Sequence, residues 1–396
     1  MIRCTPHYEG IRVFADGIAR GDLLFDKLSY VYVLGACARA RASLTTALWE
    51  GKQIHTRVVK SGFLLDVMVQ TTLVHFYANN NELGAGRKVF DEMTQRTSAS
   101  WNAMISGYCN LHEKMVTNDA QESLNLFCEM LVKSGEEKPN GRTMVCVLSA
   151  CSRLGELALG SCVHGYIQKV ISEPDDDVFI GTGLIDMYSK CGSLYNALSV
   201  FDRMKAKNVF TWTAMVAGLA LHGRGKEALT ILCSMESTNV KPNAITFTNL
   251  LFACCHAGLV EEGIHLFDIM ISQFDIAPNV KHYGCLVDLL GRAGQLVEAY
   301  EFIIGMECEG DAILWRSLLG SCKIHGDAVM GEKVGNILLE LQRDEGSIKL
   351  ASSCQDFIAL SNVYASAERW EDVVAMREMM EDKRLQTNPG RSSVHS

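Results

Sequence analysis

VFIGTGLIDMYSKCGSLYNALSVFDRMKAKN, residues 178–208, decides the fold. Leu184, Ile185 and Tyr188 make an apolar stripe at helical spacing, and Lys190-Cys191-Gly192-Ser193 breaks it. Leu194, Ala197, Leu198, Phe201 and Met204 then follow the spacing of a second amphipathic helix. Gly192 suits the end of the first helix and Ser193 the N-cap of the second. Thr182, Asp186, Ser189 and Lys190 are assigned to the opposite face of the first helix. Two such helices form an antiparallel pair that cannot bury its own stripe, so it must stack on others like itself.

Other copies of the pattern are present. Trp101-Asn102-Ala103-Met104 returns as Trp212-Thr213-Ala214-Met215, and Phe90-Asp91-Glu92-Met93 returns at the same interval as Phe201-Asp202-Arg203-Met204. Gly160-Ser161-Cys162-Val163-His164 echoes Gly51-Lys52-Gln53-Ile54-His55. Similarity at a fixed interval marks a repeat array. The expected fold is an all-α, right-handed superhelical solenoid of antiparallel helix pairs. Its array covers 27–311, in units 27–66, 67–97, 98–140, 141–177, 178–208, 209–243, 244–279 and 280–311. Pro139-Asn140, Pro242-Asn243 and Pro278-Asn279 each stop one helix and start the next. Residues 1–26 read as an N-terminally incomplete repeat, with Glu9 to Asp26 as a second helix, and 312–396 as a C-terminal region. The expected core is Leu184, Tyr188, Leu198, Phe201, Met204, Met215, Leu229 and Met235.

Composition narrows the function. With 48% hydrophobic residues and 6 prolines in 396 residues, the chain can bury a continuous core. A net charge of −9 argues against tight, sequence-blind binding to phosphate backbones. It leaves open nucleic acid read mainly through its bases. No apolar run approaches the ~18 residues of a membrane helix. The 15 cysteines contain no Cys-x-x-Cys pair. Cys254-Cys255-His256 would point its three side chains ~100° apart around a helix, so it cannot close on one ion. The cysteines therefore read as packing residues in a reducing compartment, with no metal and no cofactor. Asp175-Asp176-Asp177 reads as a solvated loop. The N-terminus carries Arg3, Arg12 and Arg20 but also Glu9 and Asp16, with no apolar core of a signal sequence and no visible transit peptide.

The units resemble pentatricopeptide repeats of the plant PLS class, in which long, regular and short motifs alternate. Val178 to Gly192 is similar to a short motif, 209–243 to a regular one, and 141–177 and 244–279 to long ones. Tyr283 through Gly294, with Leu289-Leu290-Gly291-Arg292-Ala293-Gly294, resembles the last short motif. Leu314-Trp315-Arg316-Ser317-Leu318-Leu319-Gly320-Ser321-Cys322-Lys323-Ile324-His325-Gly326 resembles the first E motif. Leu360-Ser361-Asn362-Val363-Tyr364-Ala365 with Arg369-Trp370-Glu371-Asp372-Val373, ending in Pro389-Gly390, resembles the second.

The resemblance implies single-stranded RNA binding in organelles and direction of cytidine-to-uridine editing. It implies one base per repeat, read by the fifth and last residues of each motif. Carried onto this sequence, the pairs are Thr71 with Thr97, Asn102 with Asn140, Thr182 with Asn208, and Thr213 with Asn243. Thr248 with Asn279 lies in a long motif, and Gly284 offers no side chain. The family code implies adenine for the two Thr/Asn pairs, a pyrimidine for Asn/Asn, and a purine leaning for Thr/Thr. Phe179 and Phe210, second in their motifs, could flank a base or serve as plain apolar contacts. Asn140, Asn208 and Asn243 each precede a helix and would equally make ordinary N-caps.

Ala40–Leu48, Leu111–Asp119 and Ile348–Gln355 depart from the pattern, and the last is expected to loosen the second E motif. Editing chemistry needs His-x-Glu and Pro-Cys-x-x-Cys, and neither occurs. The expected protein is thus no enzyme. It is a monomeric adaptor for organellar RNA, in the mitochondrion or alternatively the chloroplast, with a trans-acting deaminase or other editing factors recruited through 312–396. The rival is a protein-binding scaffold resembling tetratricopeptide arrays.

Overall fold

A computed structural model describes Ile11, Arg12, Phe14, Asp16 and residues 25–40, 44–109, 117–133, 138–171, 176–306, 311–344 and 350–382. Most of 1–26, the centre of the 111–119 departure, Asp175, and the Pro389-Gly390 end of the second E motif lie outside them. Among the described residues every regular element is a helix. The chain forms two compact units, 1–207 and 208–396.

Among the described residues the first unit contains five pairs. They are α1 (Lys27–Arg39) with α2 (Leu44–Lys60), α3 (Val67–Asn79) with α4 (Leu83–Glu92), and α5 (Ser98–Cys109) with α6 (Thr117–Lys133). Then come α7 (Gly141–Leu154) with α8 (Leu157–Val170), and α9 (Val178–Lys190) with α10 (Leu194–Arg203). Each first helix packs on the next: α1 on α3, α3 on α5, α5 on α7, α7 on α9.

The second unit repeats the scheme. Its pairs are α11 (Val209–Leu221) with α12 (Gly225–Ser237), α13 (Ala244–Ala257) with α14 (Val260–Ser272), and α15 (Val280–Arg292) with α16 (Leu296–Ile304). Two more follow: α17 (Ala312–His325) with α18 (Ala328–Asp344), and α19 (Leu350–Ser366) with α20 (Trp370–Asp382). Here α11 packs on α13, α13 on α15, α15 on α17 and α17 on α19.

This stacking explains the two kinds of helix. A first helix flanked on both sides, with its own partner behind, is buried widely, as α13 is through Thr246, Phe247, Leu250, Leu251, Ala253, Cys254 and Cys255. A second helix buries one stripe, as α10 does with Leu194, Ala197, Val200 and Phe201. The Gly/His echo has a matching cause. A Cβ on Gly51 would overlap the Phe76 ring, and one on Gly160 would overlap Met187, so each glycine admits the next first helix. His55 Nδ1 lies 2.8 Å from the Tyr77 hydroxyl and His164 Nδ1 2.9 Å from that of Tyr188.

Several expectations need correction. Ser189 is buried rather than on an open face, because α7 covers that side of α9. Leu198 and Leu229 are only half-buried; the phase of their helices turns Ala197, Val200 and Phe201, and Ala228, Leu232 and Met235, inward instead. Leu184, Tyr188, Phe201, Met204, Met215 and Met235 are buried as expected. Gly192 takes φ +85° at the end of α9, but Ser193 makes no side-chain cap. Its amide instead donates to Tyr188 O at 2.8 Å, closing the α9 terminus. Residues 350–355, the described part of the Ile348–Gln355 departure, are helical and form the first turns of α19.

Candidate nucleic-acid interface

The last residue of each motif caps the helix that follows. Asn140 Oδ1 accepts from the Thr143 amide at 3.2 Å, Asn208 Oδ1 from Thr211 at 3.0 Å and Asn243 Oδ1 from Thr246 at 2.9 Å. Asn279 Oδ1 accepts from Lys281 at 3.0 Å and His282 at 3.3 Å, while Thr97 Oγ1 accepts from Ser100 at 3.3 Å. Asp177, taken as loop from the sequence, caps α9 through the Phe179 and Ile180 amides. An amide that caps with Oδ1 keeps its Nδ2 donors for something else.

The fifth residues sit one helical turn inside, and the structure brings several to their partners. Asn102 Nδ2 donates to Asn140 Oδ1 at 3.2 Å, so this pair touches directly. Thr213 reaches Asn243 through one intermediary: Thr213 Oγ1 lies 2.8 Å from Thr246 Oγ1, which accepts from the Asn243 amide at 3.2 Å. Thr248 Oγ1 donates to Ala244 O at 2.9 Å, and His282 Nε2 meets the same carbonyl at 2.7 Å, which ties Thr248 to the Asn279 cap. Thr71 differs. Its Oγ1 is buried without a partner, because Ser100 Oγ turns back to Thr97 O at 2.9 Å. Thr182 is half-buried on α9 in the first unit, and Asn208 caps α11 in the second.

The second motif position is open. Phe179 is 74% exposed and Phe210 63%, which rules out a core role for either. Met68 and Ile245 stand at the same position and are also exposed. Flat or flexible apolar groups beside a polar pair can stack on a base. The first unit also carries positive charge near this face. Burial lowers the His75 pKa, and the exposed Arg142 and Arg39 lower it further.

Sequence reading missed the third residue of each first helix. Ser100, Thr143, Thr211, Thr246 and His282 are polar yet fully buried. The available signal was the Asn-x-x-Thr spacing of a capping box, seen in Asn140/Thr143 and Asn243/Thr246 and kept by Asn279/His282. In the C-terminal region the matching contact is an ion pair. Arg316, fifth in α17, donates from Nε to Asp356 Oδ1 at 2.6 Å and from Nη2 to Oδ2 at 2.8 Å. That fork occupies the place where Asn102 or Thr213 sits in the array. Among the described residues no group of three His, Cys, Asp or Glu side chains could hold a metal ion.

Stacked helix pairs with polar couples at several junctions define a helical-repeat protein. Comparison with known proteins gives the family. The model for the PPR repeat family matches 207–256, the PPR repeat model matches 99–113, 182–209, 245–273 and 281–311, and the E motif model matches 325–395. The pentatricopeptide repeat-containing protein At3g18970 of Arabidopsis thaliana is 49% identical across 100% of the chain and 83% of its own length. Another from the same plant, At1g59720, named as chloroplastic/mitochondrial, is 38% identical over 100% of the chain, which spans 61% of it. The chain belongs to the pentatricopeptide repeat proteins and carries an E motif. The maize pentatricopeptide repeat protein PPR10, solved in complex with an 18-nt psaJ RNA element, shares the fold. Its TM-score is 0.68 at 16% identity, covering 96% of this chain and 59% of that one.

Proposed function

We propose that this chain is a sequence-specific, single-stranded RNA-binding adaptor that selects organellar transcript sites for cytidine-to-uridine editing. The observation that carries the reading is the Asn102–Asn140 contact at 3.2 Å, a fifth and a last residue meeting where a base edge could be read. Thr213 and Asn243 form a second couple through Thr246, so a strand laid along the first helices would be read a base at a time. The RNA in the maize relative's structure and the organellar name of an Arabidopsis relative support this direction.

The editing step is assigned to a deaminase supplied in trans, docked through 312–396, where the E motif lies. Arg316 is held by Asp356 there, so the fifth position of α17 is not offered to a base. The deciding experiment is selection of bound sequences from a random single-stranded RNA pool. Adenine should be enriched opposite Thr213/Asn243 and a pyrimidine opposite Asn102/Asn140. A pool that returns without an enriched sequence overturns the reading in favour of a protein-binding scaffold.

A further inference from the structure

Two fifth residues meet a side chain of the next repeat, and in both it is the third residue of the following first helix. Thr143 Oγ1 donates to Asn102 Oδ1 at 2.6 Å, and Thr246 Oγ1 lies 2.8 Å from Thr213 Oγ1. His282 shares Ala244 O with Thr248, and Asp356 clamps Arg316. Even where the fifth residue is Gly284, a Cβ there would lie 3.6 Å from Leu314, third in α17. Thr143, Thr246 and His282 are fully buried, and a buried hydroxyl or imidazole is costly unless hydrogen-bonded. Apolar filling would serve packing alone. The polar atoms imply a second task.

We infer that Thr143 and Thr246, third in their repeats, are positioning residues that set the donor or acceptor character of the base-reading pair in the repeat before them. The proton count shows how. Thr213 spends its hydroxyl proton on Val209 O at 2.7 Å, which leaves Thr246 as the donor at 2.8 Å, a shorter contact than the 3.1 Å from Thr246 Oγ1 to Asn243 Oδ1. Thr213, 9% exposed, then keeps only acceptor capacity on Oγ1, while Asn243 keeps its Nδ2 donors. An acceptor next to a donor complements adenine, which offers an amino donor beside a ring-nitrogen acceptor.

The other pair is set differently. Thr143 donates to Asn102 Oδ1, which fixes the amide and directs Nδ2 to Asn140 Oδ1. What remains on both asparagines is N–H, suited to the carbonyl acceptors of a pyrimidine. The inference rests on the RNA reading proposed above and says which atoms enforce it.

The test uses the full chain with Thr246→Val, Thr246→Ser, Thr143→Val and Thr143→Ser. Competition binding is run against RNAs varied only at the nucleotide of the affected repeat. Thr246→Val should cut the preference for adenine over the other bases about five-fold, the value of one ordinary hydrogen bond. Preferences at other nucleotides should hold, and Thr246→Ser should restore the lost one. Thr143→Val should do the same at the pyrimidine position, with recovery in Thr143→Ser. If the valine variants melt earlier but keep the parental base ratios, the third residue is only structural and the inference falls alone. A parent chain that discriminates at no nucleotide overturns the RNA reading and this inference together.

Discussion

Asn243 turns its Oδ1 onto the Thr246 amide at 2.9 Å, and its Nδ2 donates to no group among the described residues. Oδ1 is thus engaged in the cap while Nδ2 stays available to the base proposed above. Capping and reading are not rivals at this position.

Asn243→Asp separates them. A carboxylate oxygen still caps α13, so the unfolding midpoint should stay within ~0.5 kcal/mol of the parent, whereas Asn243→Ala should lose about 1 kcal/mol. The outward group changes from donor to acceptor. Combined with Thr213→Asn, the preference at that one nucleotide should move several-fold from adenine toward uridine in a competition assay. Equal weakening for all four bases would reduce Asn243 to a cap.

Phe179→Ala and Phe210→Ala should act on RNA and not on folding. Both rings are largely exposed, so removal opens no cavity. Base–aromatic stacking is worth about 1–3 kcal/mol per base, so each variant should bind a matched RNA roughly ten-fold more weakly in fluorescence anisotropy. A drop in thermal midpoint with unchanged affinity would make them structural.

Phe201→Ala should do the opposite. Phe201 is 6% exposed between its own helix pair and the chain that follows α10 within the first unit. Truncation should cost about 3–5 kcal/mol of stability in urea unfolding. A loss under about 1 kcal/mol would show that the surroundings close around the gap.

Asp356→Asn tests the ion pair of the C-terminal region. Asp356 is 2% exposed and Arg316 keeps 34% of its side chain in solvent. Breaking a fully buried pair costs ~3–5 kcal/mol, so roughly 2–3 kcal/mol is expected here, read as a lower urea midpoint. RNA affinity should change little, because this fork is assigned to no base.

Alkaline pH should destabilise the chain through its buried thiols. Burial pushes Cys37, Cys254 and Cys322 up to about 12 from an ordinary 9.0. Above the unfolded value, the unfolded chain has released these protons and the native chain still holds them. Stability is therefore complete below about pH 9 and falls as pH rises toward 12, by at most ~1.4 kcal/mol per thiol per pH unit. Urea midpoints measured from pH 8 to pH 10 should show the decline, and Cys37→Ala should make it shallower.

The repeat was legible because stacking imposes a periodic apolar pattern that no other architecture needs. Phe201 and Met204 could be placed in the core from spacing alone. Leu198 and Leu229 could not, since a wide stripe does not reveal which edge the neighbouring helix leaves uncovered. Asn140 was visible as cap or reader, but the sequence could not say that capping would engage only the oxygen end of its amide. Thr143 was hidden for another reason. Its partner Asn102 lies a whole repeat earlier, and only the stacking of α7 on α5 brings them together. Arg316 and Asp356 were hidden likewise, with an irregular stretch between them.

The Thr246–Thr213 contact also bears on how such arrays can be recombined. A segment cut after Asn243 and grafted elsewhere would carry Thr213 and its cap residue but leave Thr246 behind. In its new host it would meet whatever stands third in the following helix, and could come to favour another letter. The transferable cassette is a repeat plus the opening turn of its successor. A splice placed after Phe247, inside α13, would move the whole reading unit, whereas one placed at the loop would move only part of it.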